Sequence, residues 1–213
     1  MSKLDFAALL CSRLCHDLVS PVGAINNGLE LLSGEQDDSM REAVFDLIEK
    51  STEQTSNKLQ FFRLAFGAAG GFSAHLDTRE AEKSLRAFLA GSRVELDWNV
   101  SVAELSKGGV KLLLNLCLVT AETLVRGGTL KVNYAETAND MVAITIEASG
   151  ERVIFGEDIR AALEGGVKEA DLEPRSAPAH LASMVAKELG GMVTIKAHED
   201  NAISLSATFK ANA

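Results

Sequence analysis

The stretch His16-Asp17-Leu18-Val19-Ser20-Pro21-Val22-Gly23-Ala24-Ile25 decides how this chain is interpreted. It lies in a longer segment where apolar residues recur at steps of three and four, the spacing of one face of an α-helix. At about 100° per residue, His16 lies roughly 200° from both Leu14 and Leu18. The pattern predicts a helix over residues 4–32 that buries its leucines and holds the imidazole towards solvent.

The surroundings of His16 indicate an accessible site. Ser12 and Ser20 flank it at one helical turn on either side, and Gly23 follows. These small residues leave room for a second macromolecule to reach the ring. Pro21 has no N–H, so the helix loses a hydrogen bond to the Asp17 carbonyl, and a bend is expected there.

A second helix is predicted over residues 39–67, after a turn-like stretch at residues 33–38. Ser39 is expected to cap it, with Glu42 as its capping-box partner. Two long helices joined by a short turn form a hairpin whose apolar stripe is only partly buried, and two such hairpins bury it in a four-helix bundle. The sequence therefore predicts a homodimer about a twofold axis.

Composition narrows the range of partners. The formal charge of the 213-residue chain is −9 and no basic stripe is visible, which argues against nucleic acid and membrane as partners. No apolar run is long enough to span a membrane and no signal peptide is evident, so a cytoplasmic protein is expected.

The three cysteines, Cys11, Cys15 and Cys117, are expected to be free thiols, because their number is odd and the expected compartment is reducing. A metal shared by Cys11, Cys15 and His16 lacks further ligands.

The pattern changes after the glycine-rich residues 67–71, which are predicted to end the helix and form a hinge. We expect an α+β fold overall, with a helical hairpin at residues 1–71 and an α/β sandwich at residues 72–213. In the second domain, helices are predicted on one face of a mixed sheet. The predicted helices cover residues 78–89, 110–126, 157–163 and 178–189, and the strands cover residues 93–98, 129–135, 141–148, 192–197 and 202–209.

Residues 16–25 resemble the H-box of two-component histidine kinases, whose pattern is His, acid, aliphatic, any, any, Pro, aliphatic, any, any, Ile. Every constrained position is met. The resemblance implies that His16 is a phosphoacceptor and that Asp17 orients its imidazole.

The second domain resembles the ATP-binding domain of the same kinases, with Asn115 at the first position of the asparagine motif. Val119 stands where those kinases have a magnesium-binding Asn, and Ala148 where they have the Asp that meets adenine. Residues 173–180 replace the glycine-rich phosphate loop. A triphosphate needs such a metal ligand and close backbone N–H groups. ATP is therefore not expected as a ligand, and no cofactor is expected.

A kinase-like hairpin without kinase chemistry resembles the ChpT-type histidine phosphotransferases, and residues 59–68 are similar to the second-helix pattern of that family. The resemblance implies relay of phosphoryl groups between the receiver domain of a hybrid kinase and response regulators in cell-cycle control, with magnesium supplied by the receiver. The residues expected to contact these partners are Ser12, Arg13, Val19, Ser20, Val22, Gly23, Thr55 and Arg63.

Two other functions stay open at this point. The chain could be an ATP-dependent histidine kinase with a divergent pocket, or a non-catalytic scaffold that binds response regulators.

Overall fold

Two long antiparallel helices begin the fold in the computed structural model, which describes residues 2–34, 37–67, 75–137, 141–167, 171–198 and 201–210. Helix α1 is Lys3–Gly34 and helix α2 is Asp38–Phe66. Helix α1 continues through the buried Pro21. The two helices approach closely at Gly28, where an added Cβ would lie 2.6 Å from Cγ1 of Ile48. The predicted hairpin is therefore present, and residues 35 and 36 of its turn lie outside the described residues.

The start of α2 differs from the prediction. Asp37, not Ser39, is the N-cap, and its carboxylate accepts hydrogen bonds from the backbone N–H groups of Ser39 at 2.9 Å and Met40 at 3.1 Å. An aspartate at this position satisfies amides that have no partner within the helix. The predicted capping box of Ser39 and Glu42 is therefore wrong.

The second part of the chain contains helices and strands in an alternating order. They are β1 (His75–Asp77), α3 (Thr78–Leu89), β2 (Val94–Asn99), β3 (Glu104–Ser106), α4 (Lys107–Ala121), β4 (Gly128–Glu136), β5 (Met141–Ser149), α5 (Glu157–Glu164), α6 (Ala177–Glu188), β6 (Met192–His198) and β7 (Ala202–Lys210). Strands β1 and β3, which pair antiparallel, were not predicted. Each has three residues, too few to show an alternating pattern.

The main sheet is mixed, as predicted. Its strand order is β2-β4-β5-β7-β6, with β2 parallel to β4 and the other neighbours antiparallel. Alternate residues of β5 are fully buried, from Val142 to Ala148, while those between them are half-buried. One face of the sheet is therefore covered, and helix α4 packs against β4, β5 and β7 on that face.

Helix α4 begins earlier and ends earlier than the predicted residues 110–126. Ser106 caps its start by accepting a hydrogen bond from the Gly109 N–H at 3.1 Å. After Ala121 the chain turns, and Leu124 forms a β-bridge with Val153. Gly128 is needed for this approach rather than for stopping the helix, because it has a φ of 140° and an added Cβ would lie 2.3 Å from the Ser149 carbonyl oxygen.

The hairpin and the second domain share one hydrophobic core. Phe61 and Phe62 of α2 are fully buried, and the ring of Phe61 stacks on that of Phe88 in α3 with centroids 4.1 Å apart. The predicted domain boundary at residues 71 and 72, and residues 68–71 of the predicted hinge, lie outside the described residues. Around the buried end of α2, the described residues of both domains pack as one body.

The expectation that no segment is long enough to span a membrane was wrong for α1. The helix meets that test by length and composition, with a mean hydropathy of 1.2 over its best 18-residue window. Length and composition also fit an amphipathic helix of a bundle, since such helices bury an apolar stripe. Helix α1 packs along α2 and contacts α6, as a helix of a bundle does.

Candidate functional site

His16 lies near the middle of α1, on the side that the leucine spacing predicts to face solvent. Its side chain is 84% exposed, whereas that of Asp17 is 14% exposed. The His16 Nδ1 atom lies 3.1 Å from Oδ1 of Asp17. Because a carboxylate can only accept a hydrogen bond, Nδ1 carries the proton in this contact. The Nε2 atom is then left with a free lone pair on the exposed side of the ring.

A chain of charged groups continues inward from Asp17. Its second oxygen, Oδ2, accepts a hydrogen bond from Nε of Arg13 at 3.0 Å. The far side of the Arg13 guanidinium pairs with Glu122, the residue that follows α4, through a short Nη2–Oε1 contact and an Nη1–Oε2 contact of 3.5 Å. His16 is therefore linked through two side chains to the second domain.

Arg13 is 8% exposed, so its predicted contact with a partner is at odds with its position. Burial acts to lower the pKa of Arg13, but the hydrogen bonds and charges of Glu122 and Asp17 outweigh burial and leave that pKa above its usual value. The guanidinium is thus a fixed cation that uses its Nε edge for one carboxylate and its Nη edge for the other.

The other residues of α1 predicted to contact a partner are accessible. Ser12 and Ser20 are exposed, and beyond its chain neighbours and the backbone of its own helix, no described atom lies within 4 Å of a Cβ built on Gly23. Val19 is 69% exposed and Val22 is 41% exposed. Together with His16 they form an accessible surface that combines an imidazole with apolar side chains.

The two α2 residues predicted for partner contact are placed differently from each other. Thr55 is half-buried, and its hydroxyl donates to the Ser51 carbonyl at 2.7 Å. Arg63 has a side chain that is 70% exposed and pairs loosely with Glu80 of α3, 3.9 Å away. The α2 residue that reaches the His16 segment is instead Lys58, whose ammonium group donates to the Asp17 carbonyl.

A cleft of about 520 Å³ lies next to this site, between the hairpin and the second domain. Arg13, Asp17, Gln54 and Lys58 line it on the hairpin side, and residues 88–94, 118, 121, 122 and 124–127 line it elsewhere. The cleft is therefore lined by Arg13, Asp17 and Glu122, the charged side chains that connect His16 to the second domain.

Three positions that resemble nucleotide-binding positions of kinases, Asn115, Val119 and Ala148, lie in the core. Val119 and Ala148 are buried in the core. Asn115 is fully buried, and its Nδ2 donates to the carbonyls of Ala65 at 2.7 Å and Lys111 at 2.8 Å. Asn115 thus pairs with a carbonyl at the end of α2. These residues offer neither a carboxylate for adenine nor an exposed oxygen for magnesium.

Within the described residues, no cluster of three or more His, Cys, Asp or Glu side chains is arranged to hold a metal ion. Cys11 and Cys15 are exposed free thiols, and Cys117 is buried. Burial raises the pKa of the Cys117 thiol.

Comparison with known proteins identifies the family. A family model for the histidine phosphotransferase C-terminal domain matches residues 78–201. The protein phosphotransferase ChpT of Brucella abortus (strain 2308) is 35% identical over 205 residues, which cover 95% of each chain. The chain belongs to the ChpT family of histidine phosphotransferases.

Two solved structures share the fold of this chain, at different levels of identity. One described as a bacterial phosphotransferase is 35% identical and covers 97% of each chain, with a TM-score of 0.85. The structure of full-length ShkA in complex with AMPPNP matches all of this chain and 47% of its own at 18% identity, with a TM-score of 0.51. The second match shows a shared fold alone.

The contacts of Arg13, Lys58 and Glu122 were not predicted from the sequence. The four-residue spacing of Arg13 and Asp17 on a helix is itself a signal for an ion pair. Pro21 signals that the Asp17 carbonyl needs another donor. Glu122 carries no such signal, because it is 109 residues away from Arg13 in the chain.

Proposed function

We propose that the chain is a phosphorelay intermediate that carries a phosphoryl group on Nε2 of His16. The observation that carries the proposal is the pairing of an 84% exposed imidazole with Asp17 in a member of the ChpT family. A receiver-domain aspartyl phosphate is the donor and a second receiver aspartate is the acceptor. The family relationship supports phosphotransferase activity, and the geometry at His16 supports the site.

The chemistry asked of His16 is an in-line displacement. The Nε2 lone pair attacks the phosphorus of the aspartyl phosphate, the N–P bond forms as the P–O bond breaks, and the carboxylate leaves with the bonding electrons. Nδ1 keeps its proton throughout, so the phosphorylated ring is a cation. The carboxylate of Asp17 stabilises that cation and orients the ring. Attack by the next receiver carboxylate reverses each change.

The receiver partners are proposed to be the receiver domain of a hybrid histidine kinase and the receiver domains of response regulators involved in cell-cycle control. Val19 and Val22 supply apolar contact beside His16, and Ser12, Ser20 and Gly23 allow close approach. Attraction at long range is weak for acidic partners, because this chain carries a formal charge of −9. Affinity should therefore depend on contact more than on electrostatic steering.

The working unit is proposed to be a homodimer in which two hairpins form a four-helix bundle. Support comes from large apolar side chains that a single hairpin leaves exposed. Apart from Val19 and Val22 beside His16, they are Leu4, Leu29, Leu31, Met40, Phe45, Leu47 and Leu59. So many exposed apolar groups on the two helices of one hairpin are typical of a surface that is covered in the functional state.

No cofactor is assigned to this chain, and magnesium is expected to be brought by the receiver domain. The protein is proposed to act in the cytoplasm. ATP-dependent kinase activity is not favoured, because Val119 and Ala148 lie in the core.

The test is transfer of label from a phosphorylated receiver domain. The wild-type chain should acquire label and pass it to a second receiver. His16→Ala should acquire none while it stays folded, since an exposed side chain contributes within about 0.5 kcal/mol to stability. His75→Ala is the matched control and should transfer normally, because His75 is exposed but lies outside α1. Phosphotransfer by purified His16→Ala would refute the assignment, and a wild-type chain that binds receivers without acquiring label would be a scaffold.

A further inference from the structure

The second domain contributes one acidic side chain to the phosphotransfer site, that of Glu122. It immediately follows the last residue of α4, and its side chain is 33% exposed. The C-terminal end of a helix carries partial negative charge, so an acid there is unfavourable without a cation. The last turn of α4 has no basic residue of its own, and Arg13 of α1 supplies the cation.

Arg13 is held between two carboxylates in a way that constrains both. Its Nε atom bonds Oδ2 of Asp17, and its Nη atoms face Glu122. The guanidinium is planar, so fixing its Nη edge fixes the direction of its Nε–H bond. That direction holds Oδ2 of Asp17 and leaves Oδ1 facing Nδ1 of His16, 3.1 Å away.

The charges around Asp17 also favour a protonated Nδ1 on His16. Arg13 and Asp17 alone sum to zero, so the negative charge that faces the imidazole is largely balanced by the cation behind it. Lys58, whose ammonium group bonds the Asp17 carbonyl, adds a second cation, and Glu122 brings the four groups from a net charge of +1 to zero. The added negative charge favours a ring that is cationic, which is the state of a phosphohistidine that keeps its Nδ1 proton.

We propose that Glu122 is a positioning residue for His16, and that it acts through Arg13 and Asp17 to hold the proton on Nδ1 and keep Nε2 free for the phosphoryl group. This role rests on the proposed function and deepens it. A domain that has lost the residues for nucleotide chemistry would then still contribute to phosphotransfer, because its α4 terminus holds the acidic partner of the histidine in place.

The experiment compares Glu122→Gln with Glu151→Gln in the full-length protein. Glu151 is the matched control, because it also belongs to the second domain and pairs with an arginine, Arg126, at the surface. Single-turnover transfer from a labelled receiver should slow roughly 3- to 30-fold in Glu122→Gln, as for other residues that act through a coupled network. Transfer by Glu151→Gln should match the wild type. Affinity for the receiver should be unchanged in both variants.

Two readouts separate positioning from a general loss of structure. Nitrogen NMR of histidine-labelled protein should show the His16 proton moving from Nδ1 towards Nε2 in Glu122→Gln. In an Asp17→Asn background, the effect of Glu122→Gln on the rate should disappear, because the intermediary is already removed. Glu122→Asp keeps the charge on a shorter side chain and should retain an intermediate rate if Glu122→Gln proves too unstable to assay.

Wild-type transfer by Glu122→Gln, or an equal loss of rate in the Asp17→Asn background, would overturn the positioning role. These outcomes differ from failure of the proposed function itself. If His16→Ala still transfers label, the proposed function fails whatever Glu122 does. If His16→Ala is inactive and Glu122→Gln is normal, only the positioning role fails.

Discussion

The ammonium group of Lys58 donates a hydrogen bond to the backbone carbonyl oxygen of Asp17, across the hairpin, with an Nζ–O distance of 2.9 Å. In an uninterrupted helix this carbonyl would accept from the N–H of residue 21, and Pro21 has none. Lys58 thus replaces a backbone donor with a side-chain donor from α2. The proline of the H-box-like stretch and the lysine of the second helix form one structural unit beside His16.

Replacing Lys58 by Met should therefore destabilise the hairpin. The Asp17 carbonyl would lose its donor while the methionine keeps most of the apolar stem, so we expect a loss of about 1 kcal/mol in the free energy of unfolding. Urea unfolding followed by circular dichroism measures this loss. Lys50→Met, at an exposed position of α2, is the control and should change stability by less than about 0.5 kcal/mol.

A double variant tests the explanation. Pro21→Ala restores an N–H four residues after Asp17, so Lys58→Met should cost less in that background than in the wild type. An equal cost in the two backgrounds would show that Lys58 stabilises the hairpin in another way.

The dimer is tested at Leu18, which lies on the half-buried stripe of α1. A leucine buried across a dimer interface contributes on the order of 1.5–3 kcal/mol, and an aspartate there would also bring a buried charge. Leu18→Asp should therefore dissociate or unfold the bundle and abolish phosphotransfer. Sedimentation equilibrium of the wild type should give twice the chain mass of 22.7 kDa.

Val19→Asp is the matched control, because Val19 is the next residue and is 69% exposed. It should remain dimeric and bind receiver domains more weakly. A wild-type chain that is monomeric at micromolar concentration and still active would contradict the four-helix arrangement.

Incubation with labelled ATP and magnesium, without a partner, should leave the protein unlabelled. Val119 and Ala148 are buried at the positions where kinases have polar ligands, so the second domain cannot form those contacts without rearranging its core. A parallel sample labelled from a phosphorylated receiver confirms that the acceptor is competent. Stable label on His16 from ATP alone would show that the divergent pocket is active.

The sequence predicts most of the regular structure, because long helices and the longer strands carry many repeats of their period. It fails at the end of α4, since Leu124 is also buried and continues the apolar pattern past the last helical turn. His16 and Asp17 could be recognised because they are adjacent in an ordered motif. Glu122 could not, because its pairing with Arg13 is created only by the packing of α4 near α1.

His180 should make folding stability depend on pH. It lies in α6, where its ring meets that of Phe6 edge-on with centroids 5.3 Å apart, and its Nδ1 is buried with no partner among the described residues. Burial, with a smaller effect from the charge of Lys187, lowers the pKa of His180 below its usual 6.5. The His180 ring therefore takes up a proton at a higher pH in the unfolded chain than in the folded chain, so the free energy of unfolding falls as the pH decreases through 6.5.

Urea unfolding between about pH 7.5 and about pH 5.5 should show this pH dependence of stability in the wild type and a weaker one in His180→Gln. His75→Gln, at an exposed position, should keep the wild-type slope. An unchanged slope in His180→Gln would assign the pH dependence to other groups.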